Sequence, residues 1–333
     1  MTLGWGIVGI GRVADTWMAP AINADPNSRI AEVVSRDQSR ADAFAATHHA
    51  SLASTSFDAM LGNRQVDVVL VTTPNALHPA QAIAAARAGK HVYCDKPLGL
   101  TVADARQAVE ACAAAGVRLG MNFQTRHHLC FEVARGLIEG GELGEISLVQ
   151  VDTGNGGRRP AGWRLEPAIA GLGVVNNLAI HMYDLLRYLL GAEVTEVTAL
   201  FDTGRAEAIE LMALVLLRFS NGTLAYANGN QMSPFPLDEI VIHGTEGRID
   251  GRGITRLGQE GDMRVRTRDA ETTEHYSNKD CYGRAVAAFS RAVLAGEEPN
   301  PSGRDGLRSV QLTEAITRSV REGRTIVLDP AAA

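Results

Sequence analysis

The segment Gly9-Ile10-Gly11-Arg12-Val13-Ala14 constrains this chain more than any other, because it follows an apolar run at residues 3–8 and opens a stretch of helical period. Gly9 permits a tight turn, Gly11 lets backbone approach a phosphate, and small Ala14 lets a helix lie close to a strand. N–H groups at the start of that helix then face an anion. Elsewhere such a turn is commonplace; between a first strand and a first helix it reads as a dinucleotide-binding loop.

The chain behind the turn agrees. Apolar runs at 3–8, 30–35, 66–72, 91–94 and 117–121 read as strands, separated by helical periods at 13–23, 38–47, 79–88 and 102–115. This alternation predicts βαβ units and an α/β fold, with a doubly wound parallel Rossmann sheet over residues 1–122. At 333 residues a single core is exceeded, so a second domain is expected over 123–333. There a helix at 127–140 precedes alternating runs at 146–153, 193–201, 209–219, 223–228 and 239–243, joined by turns such as Ser220-Asn221-Gly222. A helix at 177–190 interrupts them and two more close the chain, ahead of an alanine tail at 331–333. The pattern predicts an α+β domain built on a large, mainly antiparallel open sheet. Helices cover one face, and a second copy of the chain, in a homodimer or homotetramer, is the expected cover for the other.

A net charge of −6, with no Lys/Arg stripe, argues against nucleic acid and anionic membrane as partners. No apolar run reads as long enough to span a membrane, and a strand pattern stands where a leader peptide would be. Cys94, Cys112, Cys130 and Cys281 lack the short paired spacing of a metal or redox site. Reduced thiols in the cytoplasm, and no metal, are the expectation.

Further candidate residues sit at strand ends, where ligands bind open α/β sheets. The second strand ends at Ser35-Arg36-Asp37, about 20 residues past the glycine turn, where an NAD enzyme carries an acidic residue for the ribose. A hydroxyl at Ser35 with Arg36 and Arg40 suits a 2′-phosphate, so NADP is preferred to NAD. Asp37 has two readings, a ribose ligand or a helix N-cap. Thr72-Thr73-Pro74-Asn75, with His78 behind it, closes another strand and reads as cofactor-binding. Asp95-Lys96-Pro97 closes the next, also beside the cofactor, with Asn122 at the end of the last as a candidate for binding substrate, as Lys96 is. An ammonium at Lys96 suits an oxygen whose charge changes during reaction, with Asp95 to orient it; a surface ion pair is the alternative. In the second half, Asn177, His181 and Asp184 share one face of an otherwise apolar helix. They read either as a structural histidine paired to Asp184 or as an imidazole aimed at a site, where it suits proton exchange near neutral pH.

Taken in order, the glycine turn, the Thr73–His78 segment, Ala88-Gly89-Lys90-His91-Val92 leading to Asp95-Lys96-Pro97, and the glycine-rich lead into His181 resemble the Gfo/Idh/MocA oxidoreductase family over nearly the whole chain. The resemblance implies hydride transfer between a nicotinamide and a carbon of a sugar-like carbonyl or polyol. Lys96, Asn177 and His181 would surround that carbon, with Trp163 and Arg164 contacting the substrate: an indole covers an apolar sugar face, and an arginine donates to hydroxyls. Asp95 stands where the family carries Glu. Asn177 stands where it often carries Asp, and an amide cannot exchange a proton. The proton role then falls to His181, with Lys96 stabilising the alkoxide, in a cleft between the domains. Two other readings remain open at this point: a dinucleotide-binding sensor without turnover, and a cofactor-retaining enzyme that oxidises and re-reduces a sugar around an elimination.

Overall fold

The computed structural model describes residues 2–202, 208–235, 237–256 and 258–329, and the alanine tail lies outside them. The chain divides into two compact units, one of Met1–Gln124 with Tyr282–Val310, the other of Thr125–Cys281 with Gln311–Ala333.

In the first unit six parallel strands, β1 (Leu3–Val8), β2 (Ser28–Val34), β3 (Leu52–Ser54), β4 (Val68–Val71), β5 (His91–Cys94) and β6 (Leu119–Met121), lie in the order β3-β2-β1-β4-β5-β6. This is the doubly wound order, whose direction reverses between β1 and β4 and opens a crevice at their C-terminal ends. β1 and β4 are buried along their whole length, as strands with helices on both faces must be, which is why they read as unbroken apolar runs. Asp37, Ser56 and Thr101 each accept a backbone N–H and start the helices Gln38–His48, Phe57–Gly62 and Val102–Ala114.

The unit is completed from far along the chain. Phe289, on the helix Cys281–Ala295, packs its ring against Trp5 and Tyr93 at centroid distances of 5.6 and 4.8 Å, and Ser290 Oγ lies 2.9 Å from Ser28 Oγ. A Cβ on Gly120 would stand 2.5 Å from the Phe289 ring, so glycine is what admits it. The N–H of Met121 donates to Pro301 O, which closes the edge of β6. The expected division at 122/123 therefore differs from the observed one: residues 282–310 return to the first unit, drawn by aromatic burial.

Among the described residues the second unit holds nine strands: β7 (Ile146–Gly154), β8 (Val194–Phe201), β9 (Met212–Phe219), β10 (Leu224–Asn230), β11 (Asp238–Gly244), β12 (Gly247–Arg252), β13 (Glu260–Thr267), β14 (Glu271–Ser277) and β15 (Ile326–Val327). Their order is β14-β13-β12-β11-β7-β10-β9-β8-β15, antiparallel except for the β7–β10 pair. Side chains alternate, with Val149, Val151, Ala213, Val215, Ala225 and Ala227 buried on one face and Leu216 and Leu224 exposed on the other.

Helices Leu129–Glu139 and Ile180–Leu190 contribute Phe131, Tyr183 and Leu186 to the same core. By length and composition alone the stretch Pro167–Leu190 could cross a membrane, but 67% of its most apolar window is buried within the protein, so its apolar side chains serve a core.

Candidate active site

The glycine turn is built as its residues require. Gly9 has φ +94°, and a Cβ there would lie 2.7 Å from the backbone of Thr72 and Thr73. Thr72 Oγ1 donates to Gly9 O at 2.6 Å, and its N–H donates to Val8 O at 3.0 Å, binding β1 to β4 at the point of reversal. Gly11 is different: a Cβ there would meet no protein atom within 4 Å. The fold demands the first glycine, whereas the second leaves bare backbone at the start of a helix, beside exposed Arg12 and half-buried Ile10 and Val13. That helix contains a π-turn over Ala14–Met18, a form that recurs at functional sites.

Asp37 forms a helix cap. Its carboxylate accepts from Ser39 Oγ at 2.7 Å and Arg40 N at 3.1 Å, and these bonds hold its pKa below the usual carboxylate range. Ser35 is half-buried beside it, and Arg36 and Arg40 are exposed.

Two loops on the same sheet edge are fastened together by His78. The ring is fully buried, with Nδ1 2.7 Å from Pro97 O and Nε2 2.7 Å from Thr73 O. Expected among the cofactor-binding residues, His78 instead ties the Thr73-Pro74-Asn75 loop to the Lys96–Pro97 loop, because both ring nitrogens face main-chain carbonyls. Thr73 Oγ1 in turn lies 2.5 Å from Oε1 of Gln81, a partner the sequence did not suggest. The Lys96–Pro97 peptide is cis.

Asp95 acts on the backbone of its neighbour: Oδ1 accepts from Lys96 N at 3.0 Å and from Asn122 Nδ2 at 3.2 Å. It thereby fixes the main chain from which the half-buried Lys96 projects. Asn122 is 1% exposed, and its Oδ1 has no hydrogen-bond partner. An acceptor left so at a ligand-binding sheet edge suits an N–H donor from a bound molecule, such as a carboxamide.

In the second unit, the glycine-rich lead encloses Glu210. Gly171 takes φ +75°, and a Cβ on Gly173 would stand 2.0 Å from Glu210 O. The Glu210 carboxylate accepts from Gly173 N at 2.8 Å and Val175 N at 3.0 Å, while its carbonyl accepts from Val174 N. Four backbone groups are thus satisfied at a buried helix start, and burial pushes the carboxyl pKa up.

The helix begins as a π-turn over Val175–Ala179, not as the plain helix expected, and continues as Ile180–Leu190. It brings Asn177 and His181 to half-buried positions within one unit. Asp184 is 1% exposed and takes a bidentate bond from Arg126, at 2.7 and 2.6 Å. Sequence reasoning missed Arg126 and Glu210 because their partners lie 58 and about 35 residues away. Trp163 and Arg164 sit in the turn Gly162–Leu165, with the guanidinium 4.4 Å over the indole, so one ring face is already covered.

Residues 3–123 match the model of an oxidoreductase family with an NAD-binding Rossmann fold, and residues 131–250 match the GFO/IDH/MocA C-terminal domain. The chain is 31% identical to 1,5-anhydro-D-fructose reductase of Ensifer adhaerens, over 98% of both chains. It is 27% identical to inositol 2-dehydrogenase of Rhizobium meliloti, over 98% of this chain and 99% of that one. Among solved structures it superposes on aldose-aldose oxidoreductase from Caulobacter crescentus, complexed with glycerol, with a TM-score of 0.92 and 30% identity, covering 98% of this chain and all of that one.

Proposed function

Since the chain belongs to the Gfo/Idh/MocA oxidoreductase family, we propose that it transfers a hydride between a nicotinamide dinucleotide, preferably NADP, and a carbon of a sugar-like carbonyl or polyol. The observation that carries this reading is the pair of loops joined by His78, which presents Lys96 on the sheet edge that also carries the bare backbone of Gly11 and the partnerless acceptor of Asn122. These residues fit a dinucleotide. Gly9–Val13 suit the diphosphate, Thr72–Asn75 the adjoining loop, and Asn122 the carboxamide. Bound there, the nicotinamide supplies a two-electron hydride donor or acceptor.

The preference for NADP rests on Ser35, Arg36 and Arg40, a hydroxyl and two guanidiniums that favour a 2′-phosphate dianion at the adenosine end of the cofactor, with Oδ1 of Asp37 held in a helix cap beside them. In the reducing direction the Lys96 ammonium stabilises negative charge on the carbonyl oxygen and the His181 imidazole supplies the proton. Asn177 orients through its amide, and Trp163 with Arg164 contacts substrate.

The outer face of the nine-stranded sheet, with Leu200, Leu216 and Leu224 exposed, serves as the contact between copies of the chain in a homodimer or homotetramer. Four buried free thiols suit a reducing cytoplasm.

The test is oxidation of NADPH and of NADH in the presence of a panel of ketoses and inosose-type ketones. Turnover with NADPH favoured is the expected result. Tight NADPH binding without oxidation on any substrate would overturn it in favour of a sensor, and cofactor released only on denaturation would favour a cofactor-retaining enzyme.

A further inference from the structure

The inner face of the nine-stranded sheet changes character at one end. β7 and β10 run side by side in parallel, with Val149 beside Ala225, Val151 beside Ala227 and Thr153 beside Gly229. The N–H of Gln231 donates to Leu211 O at 2.8 Å, extending the β10–β9 ladder one residue past the Asn230–Met212 pair. Alternation therefore places Gln231 on the same face as Gly229 and Thr153. That face lies under the start of the His181 helix, since a Cβ on Gly229 would stand 2.8 Å from Cβ of Ala179 and 3.3 Å from Cγ2 of Val174.

Thr153 and Gln231 are each 1% exposed, and neither the Thr153 hydroxyl nor either polar atom of the Gln231 amide has a hydrogen-bond partner. Just beyond β7, Oδ1 of Asn155 is buried in the same condition. A partnerless amide and hydroxyl on an otherwise apolar face oppose folding, and Val and Met would fill the same space without that cost. Their chemistry names the missing partner. Gln231 offers one acceptor oxygen and two N–H donors, and Thr153 one hydroxyl, whereas each alcohol of a polyol both donates and accepts.

We infer that Thr153 and Gln231 are specificity-determining residues that bind neighbouring hydroxyl groups of the substrate beneath the helix carrying Asn177 and His181. The inference rests on the hydride-transfer reading of this site, although every observation behind it lies in the second unit.

The test uses Thr153→Val, Gln231→Met and Thr153→Ser, with two readouts. One is kcat/KM for a hydroxylated substrate and its deoxy analogues. The other is the thermal shift produced by polyols on the full chain without cofactor. The Val and Met variants are expected to lose roughly tenfold or more in kcat/KM, through KM, on the hydroxylated substrate and clearly less on the analogue lacking the bound hydroxyl. They should melt no lower than the wild type and lose the polyol shift, while Thr153→Ser keeps both activities within about twofold.

Equal losses on hydroxylated and deoxy substrates, or none, assign the row to ordered water and overturn the inference, as does a wild type that polyols do not stabilise. A wild type that binds polyols through Gln231 yet never turns over leaves the inference standing and removes the hydride-transfer reading. Turnover matched by the Gln231→Met variant on every substrate does the reverse.

Discussion

Replacing Gly9 and Gly11 with alanine, one at a time, separates what the fold requires of the glycine turn from what a ligand requires. At Gly9 a Cβ must adopt φ +94°, which costs about 1–2 kcal/mol for a residue with a side chain. It must also sit 2.7 Å from the backbone of Thr72 and Thr73, which cannot retreat because Thr72 N–H is bonded to Val8 O. Overpacking of this kind adds roughly 1–3 kcal/mol, so Gly9→Ala should lose about 2–5 kcal/mol of stability.

Gly11 lies outside the left-handed region with no protein atom near its Cβ position, so Gly11→Ala should change stability by no more than about 0.5 kcal/mol, and its sign can be favourable. On the proposed reading the added methyl stands where the diphosphate would approach, and should weaken NADPH binding by about tenfold or more, or ~1.4 kcal/mol. Urea unfolding without cofactor reads the first quantity and an NADPH fluorescence titration the second. A Gly11→Ala protein that titrates like the wild type, or a Gly9→Ala protein that unfolds like it, refutes the argument at that glycine.

Lys96→Ala and His181→Ala should each lower kcat by about a hundredfold or more, with NADPH affinity changed little, as steady-state kinetics beside direct cofactor titration will show. Phe289→Ala removes a ring packed on Trp5 and Tyr93 and should cost about 3–5 kcal/mol, measured by chemical unfolding. For Glu210 the sign follows from its raised pKa. The stability linked to its proton is fully present below the ordinary value of 4.5 and is lost as pH rises through the higher folded value. Melting temperature should therefore fall with rising pH above 4.5 more steeply in the wild type than in Glu210→Gln, and parallel curves would contradict the assignment.

What could be read in advance divides along physical lines. β1 and β4 announced themselves because both of their faces are buried, leaving no polar residue to blur the run. β14 was invisible for the opposite reason: Glu271–Ser277 is exposed almost throughout, so no alternation between core and solvent is written into it. The glycine turn was legible as a local device of neighbouring residues.

Glu210 was not legible, because its carboxylate is bonded to main-chain N–H groups, which every residue but proline carries. His78 showed its position but not its role, since the two carbonyls that face it come from loops that only the folded sheet brings together. The π-turns at Ala14–Met18 and Val175–Ala179 left no periodic trace over five residues.

The return of residues 282–310 to the first unit bears on how this protein can be taken apart. A fragment ending at Gln124 would leave the rings of Trp5 and Tyr93 wet and the hydrogen-bonding edge of β6 open, inviting aggregation where the whole chain has a closed border. Exchanging nucleotide specificity with a relative by swapping units thus calls for three crossovers, one near residue 124 and one on either side of 282–310. A single junction would pair each sheet with the wrong aromatic lock.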